Sequence, residues 1–440
     1  LNTMVIDVKN DHGLMTYHSE VEIVQEVGAD RSVPAKDIQE VINALVENDI
    51  YPIARIVVFK DPYLAEQMPD WSIKSKQGGV WRDNKGVAWI NPYDQHVWDY
   101  NIAIAKEAAL MGFREIQFDY VRFPENARRV DQEADFPGSD GVAKDDAIRN
   151  FLLYAKEQLE DYNVHLAADT FGVIATSWAD ADGIGQNWEK VAPVVEYNCP
   201  MIYPSHYGPG YFGFAVPDTK PKETVTRALT DAIKRNAPLE SPAIIRPWLQ
   251  SFTATWIKGH IAYGADQVRA QIDAALELGI DEYLIWNASN NYIPAAFLTV
   301  DAAKAKEERL ANARQENAFD VLGHTRQDAL DAFMDAVRMA NWREVHVYHA
   351  TGFKQDYVQC QAWVKKWTAK LVSHKVLSSQ LADDAGEFEL DLVFKVGDQS
   401  LELKEQSFKV YLENDIWRVE PSVEFIETLS LNLVKDVSDE

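Results

Sequence analysis

Short runs of β-branched and apolar residues alternate with amphipathic helical stretches over the first 300 residues of the chain. Seven runs have the length and composition of buried strands: residues 4–9, 52–59, 115–120, 165–170, 196–203, 243–250 and 282–287. Between them, helical periodicity covers residues 34–48, 94–112, 145–162, 222–236 and 265–279. Repeated strand–helix alternation of this kind predicts parallel βαβ units.

Two observations favour a (β/α)₈ TIM barrel over an open doubly wound sheet. No strand is followed by a GxGxxG or GxxxxGK[ST] loop, which nucleotide-binding open sheets carry. Polar residues follow the C-terminal ends of nearly every strand, where barrel enzymes assemble their active sites. Because seven strands are visible and the chain starts almost on a strand, we expect the first βα unit of the barrel to be missing from this sequence.

The pattern changes after a charged, Ala-rich helix predicted at 300–317. A helical region then leads into consecutive strands with tight turns at Gly397-Asp398 and Asn414-Asp415. The predicted strands are residues 362–373, 387–396, 400–412 and 416–420. Helices followed by an antiparallel meander indicate a small α+β domain. We therefore predict a barrel domain over 1–316 and an accessory domain over 323–440.

The charge balance narrows the kinds of partner. The chain has 43 Lys and Arg against 69 Asp and Glu, which gives a net charge of −26. This charge repels phosphate backbones and anionic lipid, so we expect no nucleic-acid partner and no membrane-surface function. No apolar run approaches the ~18–20 residues that span a bilayer, which excludes membrane insertion. A neutral or cationic ligand is favoured.

Metal and thiol chemistry have little support in the sequence. The two cysteines, Cys199 and Cys360, lie in different predicted domains and outside any CxxC pattern, which indicates small buried residues. The histidines form no HExxH motif. The acidic loop 131–140 fails the EF-hand template, because its sixth position is Phe136 and its twelfth is Val142. We therefore predict no metal site and no cofactor.

The most informative segment is the strand that ends at Asp119. Because side chains alternate along a strand, Asp119 lies opposite the apolar face of its strand and is directed into the barrel mouth. A buried charge is costly unless it is paired or used for chemistry. Two interpretations remain open: a structural ion pair, with Arg122 as the partner, and a catalytic carboxylate.

Asp169 repeats this arrangement one strand later, with the small Ala167 beneath it. Neighbouring strands lie about 4.8 Å apart, so carboxylates at equivalent heights are expected about 5–7 Å from each other. This separation suits the two carboxyl groups of a retaining glycosidase, which lie about 5–5.5 Å apart. It also predicts pKa values that are pushed apart, so that one group is ionised and the other protonated. The alternative is two unrelated structural aspartates.

Polar and aromatic side chains near the other strand ends form a candidate binding surface. Several tryptophans lie beside strand ends or in the long polar loop 60–93, and their flat rings suit the apolar faces of sugars. A single tryptophan is more often a core residue, and His206 is equally compatible with a structural role. The predicted substrate-binding residues are Asp7, Lys9, Lys60, Trp81, Trp89, Arg122, Tyr203, His206, Arg246, Trp248, Gln250, Trp286 and Asn287.

Several strand-end segments, in the order in which they occur, resemble a family of bacterial glycosyl hydrolase barrels whose members are often exported. They include Gln-Phe-Asp-Tyr-Val-Arg-Phe-Pro at 117–124, Ala-Asp-Thr-Phe-Gly at 168–172 and Met-Ile-Tyr-Pro-Ser-His at 201–206. The resemblance covers about residues 1–300 and implies a (β/α)₈ fold, a carbohydrate substrate and catalytic carboxylates at Asp119 and Asp169. The part after about residue 322 loosely resembles cystatin-like or NTF2-like domains, which implies no activity.

We therefore expect a secreted or cell-surface bacterial glycoside hydrolase that acts on a poly- or oligosaccharide by a two-aspartate, retaining mechanism. Asp119 is the expected nucleophile and Asp169 the expected general acid/base, although the sequence also allows the exchanged roles. Arg122 is expected to orient or tune Asp119. The alternative is a catalytically inactive carbohydrate-binding or scaffolding protein on the same fold, because a fold does not guarantee turnover.

Overall fold

The computed structural model describes residues 2–350, 356–382 and 384–430. It divides the chain into two compact units. The first comprises the described parts of 1–228, 242–271 and 282–292, and the second comprises the described parts of 229–241, 272–281 and 293–440. Within the described ranges, no helix has both the length and the apolar character that crossing a membrane requires.

Strands and helices alternate through the first unit, and in the described part of the second unit helices precede an antiparallel sheet. The strands are β1 (Thr3–Lys9), β2 (Tyr51–Val57), β3 (Lys74–Ser75), β4 (Glu115–Asp119), β5 (Ala134–Asp135), β6 (His165–Phe171), β7 (Tyr197–Ile202), β8 (Ile244–Ile245), β9 (Trp248–Gln250), β10 (Leu284–Trp286), β11 (Ala369–Leu381), β12 (Ala385–Val396), β13 (Gln399–Glu413) and β14 (Ile416–Glu420). The helices are α1 (Glu22–Val27), α2 (Ile38–Glu47), α3 (Pro62–Gln67), α4 (Gln95–Leu110), α5 (Ala127–Glu133), α6 (Lys144–Leu159), α7 (Trp188–Val191), α8 (Pro221–Asn236), α9 (Ala265–Glu277), α10 (Val300–Glu316), α11 (Arg326–Arg338), α12 (Trp342–Tyr348), α13 (Tyr357–Val364) and α14 (Val423–Leu429).

The helix ends follow local sequence signals. Asp94 caps α4, because its side chain accepts a hydrogen bond from the His96 N–H, and Asp61 caps α3 in the same way through Leu64. Gly112 and Gly279 follow α4 and α9 with φ of +105° and +77°, a conformation that favours glycine. Residues next to the ends of these helices therefore determine where the helices begin or end.

The first unit is built on a parallel sheet with the strand order β1-β2-β4-β6-β7-β9-β10, with β8 also paired to β7. β8 and β9 are two pieces of one predicted strand, separated at Arg246 and Pro247, and Pro247 has no N–H for the sheet ladder. These seven strand positions confirm the predicted α/β barrel class. Among the described strands, β1 and β10 at the ends of the order each have one neighbour in this sheet.

Side chains from both ends of this sheet meet on one face, which shows that the sheet curls. Ile53 of β2 packs in the same cluster as Trp248 of β9 and Leu284 of β10, and Val5 of β1 packs against it. The concave face is thus the interior of the barrel, and side chains that alternate onto it converge there.

The second unit carries the four-stranded antiparallel sheet β11-β12-β13-β14, which confirms the predicted α+β character of the C-terminal part. Asn414 and Asp415 both have positive φ, 51° and 65°, as a two-residue hairpin turn requires. The first predicted strand was wrong at its start. Residues 357–364 form α13, which Asp356 caps through the Gln359 N–H, and the strand itself begins at Ala369.

Candidate active site

Asp119 and Asp169 lie side by side on neighbouring strands. β4 and β6 are parallel partners, and their register pairs Phe118 with Ala168, so the next residue on each strand is an aspartate. Ala167, two residues before Asp169, belongs to the interior cluster, which places Asp169 on the concave face as well. Asp119 is 6% exposed and Asp169 is 2% exposed. The interior of the barrel therefore holds two adjacent, buried carboxyl groups.

Arg55 of β2 is the cationic partner of this pair. Its Nε donates to Asp119 Oδ2 at 2.9 Å, its Nη2 donates to the same oxygen, and its Nη1 donates to Asp7 Oδ1 at 2.7 Å. Burial by itself lowers the pKa of Arg55, but the charges of Asp119, Asp7 and Asp169 outweigh it and raise this pKa. The guanidinium is thus a fixed positive charge among three carboxyl groups.

The second oxygen of Asp119 is held by the backbone. Asp119 Oδ1 accepts a hydrogen bond from the Tyr120 N–H at 2.6 Å. Tyr120 has φ of 48°, a left-handed conformation that is uncommon for a residue with a side chain. Its ring packs edge-on against Trp89 at 6.0 Å and lies 4.5 Å from the Lys60 ammonium. The turn at the end of β4 therefore fixes the orientation of the carboxylate.

Asp169 has a different environment. Its Oδ1 accepts a hydrogen bond from Trp248 Nε1 at 2.7 Å, and among the described residues its Oδ2 accepts none. Burial and then the charge of Asp119 raise the pKa of Asp169 well above its usual range, although Arg55 and the Trp248 N–H oppose this shift. The surroundings of Asp169 therefore favour its protonated form.

Aromatic side chains surround the pair. Tyr203 follows β7, is buried, and lies close enough to both aspartates that their charges, after burial, raise its pKa. Its ring lies 5.1 Å from His206 and 5.7 Å from Phe252. Trp286 lies 5.7 Å from the Arg55 guanidinium and packs edge-on against Trp248 at 5.8 Å. Carboxyl groups and flat rings thus share the interior face of the sheet.

Of the residues selected from the sequence, the structure brings Asp7, Tyr203, His206, Trp248 and Trp286 to this region. His206 is exposed at its surface, but desolvation by the groups packed around its ring lowers its pKa, so the ring is neutral at neutral pH. Its Nδ1 contacts Ser205 Oγ at 3.0 Å.

Arg246 lies at the opposite end of the interior. Its Nη2 donates to Glu115, the first residue of β4, and its guanidinium lies 3.9 Å from the ring of Tyr197, the first residue of β7. It also contacts Glu282 at 3.6 Å and Cys199 Sγ at 3.8 Å. This arginine is held in an ion pair at the N-terminal ends of the strands rather than at the aspartates.

Three further selected residues stabilise the scaffold. Lys9 is fully buried and donates to Asp61 at 2.9 Å and to Asn101 at 2.8 Å, so it faces the helix layer. Gln250 accepts from the Ser205 N–H at 3.0 Å and Asn287 donates to the Ser251 carbonyl at 2.5 Å, which ties strand ends to their loops.

Trp81 and Trp89 are each 3% exposed, and their indole N–H groups donate to Glu133 at 3.3 Å and Asp83 at 3.1 Å. The long loop that carries them is packed, although its polar composition predicted exposed rings. Burial therefore leaves little of either ring free for a ligand.

The two other selected cations, Lys60 and Arg122, are hydrogen-bonded to groups other than the two aspartates. Lys60 donates to Asp11 at 3.1 Å and to the Tyr120 hydroxyl at 3.3 Å. Arg122 donates to Glu125 at 3.0 Å and lies 4.3 Å from the Phe171 ring. The hydrogen-bonded cation of Asp119 is thus Arg55, whereas the sequence had suggested Arg122.

Arg55 is the functional residue that the sequence reasoning missed. It is the single charge in the apolar strand 52–59, and a buried charge in such a strand requires a partner on its own face. In the sheet it stands opposite Asp7 on β1, and β4 with Asp119 lies on its other side. The lone charge of Arg55 is visible in the sequence, but its partner can be identified only when the strand order is known.

The arrangement can supply a proton donor, a carboxylate and aromatic surfaces. Among the described residues, no group of three or more His, Cys, Asp or Glu side chains is arranged to hold a metal ion. A carboxyl group with a raised pKa beside an arginine-bound carboxyl group suits acid–base and nucleophilic chemistry on a polar substrate.

Comparison with solved structures finds relatives of low structural similarity. A hypothetical protein from Ruminiclostridium thermocellum is 41% identical over 38% of this chain and 83% of that chain, with a TM-score of 0.35. The PgaB (BpsB) glycoside hydrolase domain from Bordetella bronchiseptica is 12% identical, with 71% and 88% covered and a TM-score of 0.46. Alpha-L-fucosidase isoenzyme 2 from Paenibacillus thiaminolyticus is 15% identical, with 72% and 44% covered and a TM-score of 0.41.

No curated protein matches the chain significantly. A family comparison does match, over residues 1–292, which include every strand of the parallel sheet and both aspartates. This range is well over half of the 440 residues. The chain therefore belongs to the family described as "Putative glycosyl hydrolase domain", in agreement with the resemblance of its strand-end motifs.

Proposed function

We propose that this protein hydrolyses O-glycosidic bonds in an oligo- or polysaccharide, with Asp119 and Asp169 as its catalytic carboxyl groups. The observation that carries the proposal is the contrast between two adjacent aspartates. Arg55 and a backbone N–H stabilise the charge of Asp119, whereas burial and its neighbour raise the pKa of Asp169. A carboxylate next to a carboxylic acid is what glycoside hydrolysis requires.

In this mechanism Asp169 donates its proton to the oxygen of the leaving sugar. Asp119 attacks the anomeric carbon as the C–O bond breaks, which forms a covalent glycosyl–Asp119 ester. Asp169, now ionised, takes a proton from water as the water oxygen attacks the anomeric carbon, and Asp119 leaves as a carboxylate. The proton given up in the first step is thereby restored to Asp169.

The position of the two aspartates on adjacent strands supports the retaining form of this reaction. Inverting enzymes leave room for a water between carboxyl groups about 6.5–9.5 Å apart, whereas neighbouring strands are about 4.8 Å apart. Arg55 acts through Asp119 as a positioning residue, because its two donors on one oxygen fix the plane of the carboxylate. Trp286, which is partly exposed, supplies apolar surface for the sugar ring.

A second candidate is glycan binding without hydrolysis. It is favoured by the hydrogen bonds to both oxygens of Asp119, which is more fully engaged than a free nucleophile. A carboxylate has about four lone-pair sites, however, so these bonds leave acceptor capacity for attack. For this reason hydrolysis is preferred.

The test is product release from a panel of poly- and oligosaccharides by the wild type, Asp119→Asn and Asp169→Asn. Loss of a general acid or nucleophile lowers turnover by about 10²–10⁴-fold or more, so both variants should fall by at least that factor. Asp11→Asn is the matched control, because Asp11 is half exposed and pairs with Lys60 outside the aspartate pair. An Asp119→Asn protein with near-normal hydrolysis would falsify the assignment.

Azide distinguishes the mechanisms once a cleaved substrate is known. With an aryl glycoside as substrate, azide should rescue Asp169→Asn by attacking the covalent intermediate and giving a product of retained configuration. Glycan binding by the wild type with no product from any member of the panel would instead support the binding candidate.

A further inference from the structure

A row of aromatic rings leads from the aspartate pair to a strongly exposed tryptophan. Burial and then the charges of both aspartates raise the pKa of Tyr203, and its ring contacts Phe252 edge-on at 5.7 Å between ring centres. Phe252 is stacked on Trp256, with ring centres 6.0 Å apart and planes at 21°. Trp256 is 68% exposed. The three rings thus connect the buried site with solvent, and all three lie in the first unit.

The exposure of Trp256 has no structural explanation in the loop itself. An indole is one of the largest apolar surfaces a protein can bury, and leaving it in water forgoes that stabilisation. The neighbouring Ala254 is fully buried, so the loop has a packed side and nevertheless presents its largest ring outward. Exposed aromatic surface that continues a row of rings from a polar site is typical of a ligand-binding surface.

The loop that carries this ring is well fixed. Gln250 Nε2 donates to the Phe252 carbonyl at 3.0 Å and to Asp218 at 3.2 Å. Thr253 Oγ1 accepts from the Tyr263 N–H at 3.1 Å, and the Tyr263 hydroxyl donates to the Asp218 carbonyl at 3.0 Å. Since the base of the loop is held in this way, the ring is presented in a set position, which reduces the entropy lost on binding.

We infer that Trp256 and Phe252 form an outer sugar-binding subsite that takes a unit of a glycan chain whose scissile bond lies at Asp119 and Asp169. The inference rests on the proposed function and specifies its substrate as an oligomer long enough to reach both places. Pyranose rings present apolar C–H faces that stack on indole, while His206, exposed and 6.4 Å from Phe252, offers a polar edge for a hydroxyl group.

The expected signature is a dependence on chain length. A disaccharide held at the aspartates does not extend along the ring row, whereas a hexasaccharide does. Removing the indole should therefore weaken hexasaccharide binding by about tenfold and leave disaccharide binding unchanged, since an aromatic contact contributes on the order of one factor of ten.

The experiment measures binding with the full chain carrying Asp119→Asn, so that hydrolysis does not consume the probe. The probes are the hexasaccharides and disaccharides of the cello-, chito-, laminari-, manno-, xylo- and malto- series, titrated by calorimetry. The affinity for each probe is measured with and without the additional substitution Trp256→Ala. Trp256→Phe is the conservative variant. Leu110→Ala is the control, because Leu110 is 79% exposed on α4 and away from the ring row.

We expect one hexasaccharide series to bind, Trp256→Ala to lose about tenfold in affinity, Trp256→Phe to lose less, and Leu110→Ala to bind normally. Unchanged hexasaccharide affinity in Trp256→Ala, or no binding of any hexasaccharide, overturns the inference. A hexasaccharide that binds through Trp256 but is not cleaved by the wild type refutes hydrolysis alone, so the two proposals fail separately.

Discussion

Two buried arginine–carboxylate pairs occupy the two ends of the same barrel interior. At the C-terminal ends of the strands Arg55 binds Asp119, and at the N-terminal ends Arg246 binds Glu115. We call the pair at the C-terminal ends the upper pair and the pair at the N-terminal ends the lower pair. Both use the same chemistry, but among the described residues only the upper pair has a second buried carboxyl group, Asp169, beside it. At the lower end Arg246 neutralises one buried acid, Glu115. At the upper end Arg55 faces two buried acids, Asp119 and Asp169, and its single charge can neutralise one of them.

This difference shows what marks a reactive site in a polar interior. Burial raises the pKa of Glu115 even though Arg246 opposes the shift, so a raised pKa occurs at both ends. At both ends burial and a neighbouring carboxylate raise the pKa, but the neighbour at the lower end, Glu282, is half exposed, whereas the neighbour at the upper end, Asp119, is buried. A second buried carboxyl group beside the ion pair, rather than the ion pair itself, is therefore the feature that points to catalysis.

The largest expected contrast is in activity. Asp169→Asn should lower kcat/KM by about 10²–10⁴-fold, because the leaving oxygen loses its proton donor. Glu115→Gln should change kcat/KM per folded molecule by no more than about threefold, since in the described residues neither Glu115 nor Arg246 hydrogen-bonds to Asp119 or Asp169. Steady-state kinetics on the cleaved glycan measure both. Equal losses in the two variants contradict the division of roles.

Stability gives the reverse contrast. Arg246→Met leaves Glu115 buried without a partner, and breaking a buried pair costs about 3–5 kcal/mol in the free energy of unfolding. The double variant Arg246→Met/Glu115→Leu should recover most of that loss, because it removes both charges. Urea denaturation measures the three proteins. If the single variant loses less than about 1 kcal/mol, the lower pair is not a buried structural pair.

The pH dependence of stability sharpens the comparison further. A raised folded-state pKa means that Asp169 contributes its full stability below the unfolded pKa of about 3.9 and loses it as the pH rises through the folded pKa. Asp169→Asn has no such loss. Its melting temperature should therefore rise relative to the wild type as the pH rises above the unfolded pKa of about 3.9. A difference that does not vary with pH contradicts the raised pKa.

The smallest expected effect comes from a single N–H group. Trp248→Phe removes the N–H that donates to Asp169 and that opposes its raised pKa, so the alkaline limb of the activity profile should move to higher pH. Trp89→Phe is the matched control, because its N–H serves Asp83 instead. A shift of the limb to lower pH in Trp248→Phe is the result that would count against this account.

The strand positions and the two aspartates could be predicted from the sequence, because both depend on local rules. Strand–helix alternation indicates the sheet, and the two-residue period along β4 and β6 determines which face Asp119 and Asp169 occupy. Predicting that the two aspartates are adjacent also requires the strand order, which follows from consecutive βα units. These parts of the site are encoded within a few residues of each aspartate.

The partners of the aspartates and the exposure of the tryptophans could not be predicted in this way. Arg55 and Arg246 are both single charges in predicted strands, and only the register shows that one reaches Asp119 and the other Glu115. Trp81 and Trp256 both lie in polar loops. Burial of the first depends on residues far along the chain, including Glu133, which its N–H contacts. Such contacts have no local signature.

The hydrogen bond between Trp248 and Asp169 has a spectroscopic consequence. When a carboxyl group that accepts from an indole N–H gains or loses its proton, the electric field along the indole changes, and with it the near-ultraviolet absorption and the emission wavelength. The chain has 13 tryptophans, so the signal is the difference between the wild type and Trp248→Phe across a titration. The protein thereby carries an internal optical indicator of its own acid group, readable before any substrate has been identified.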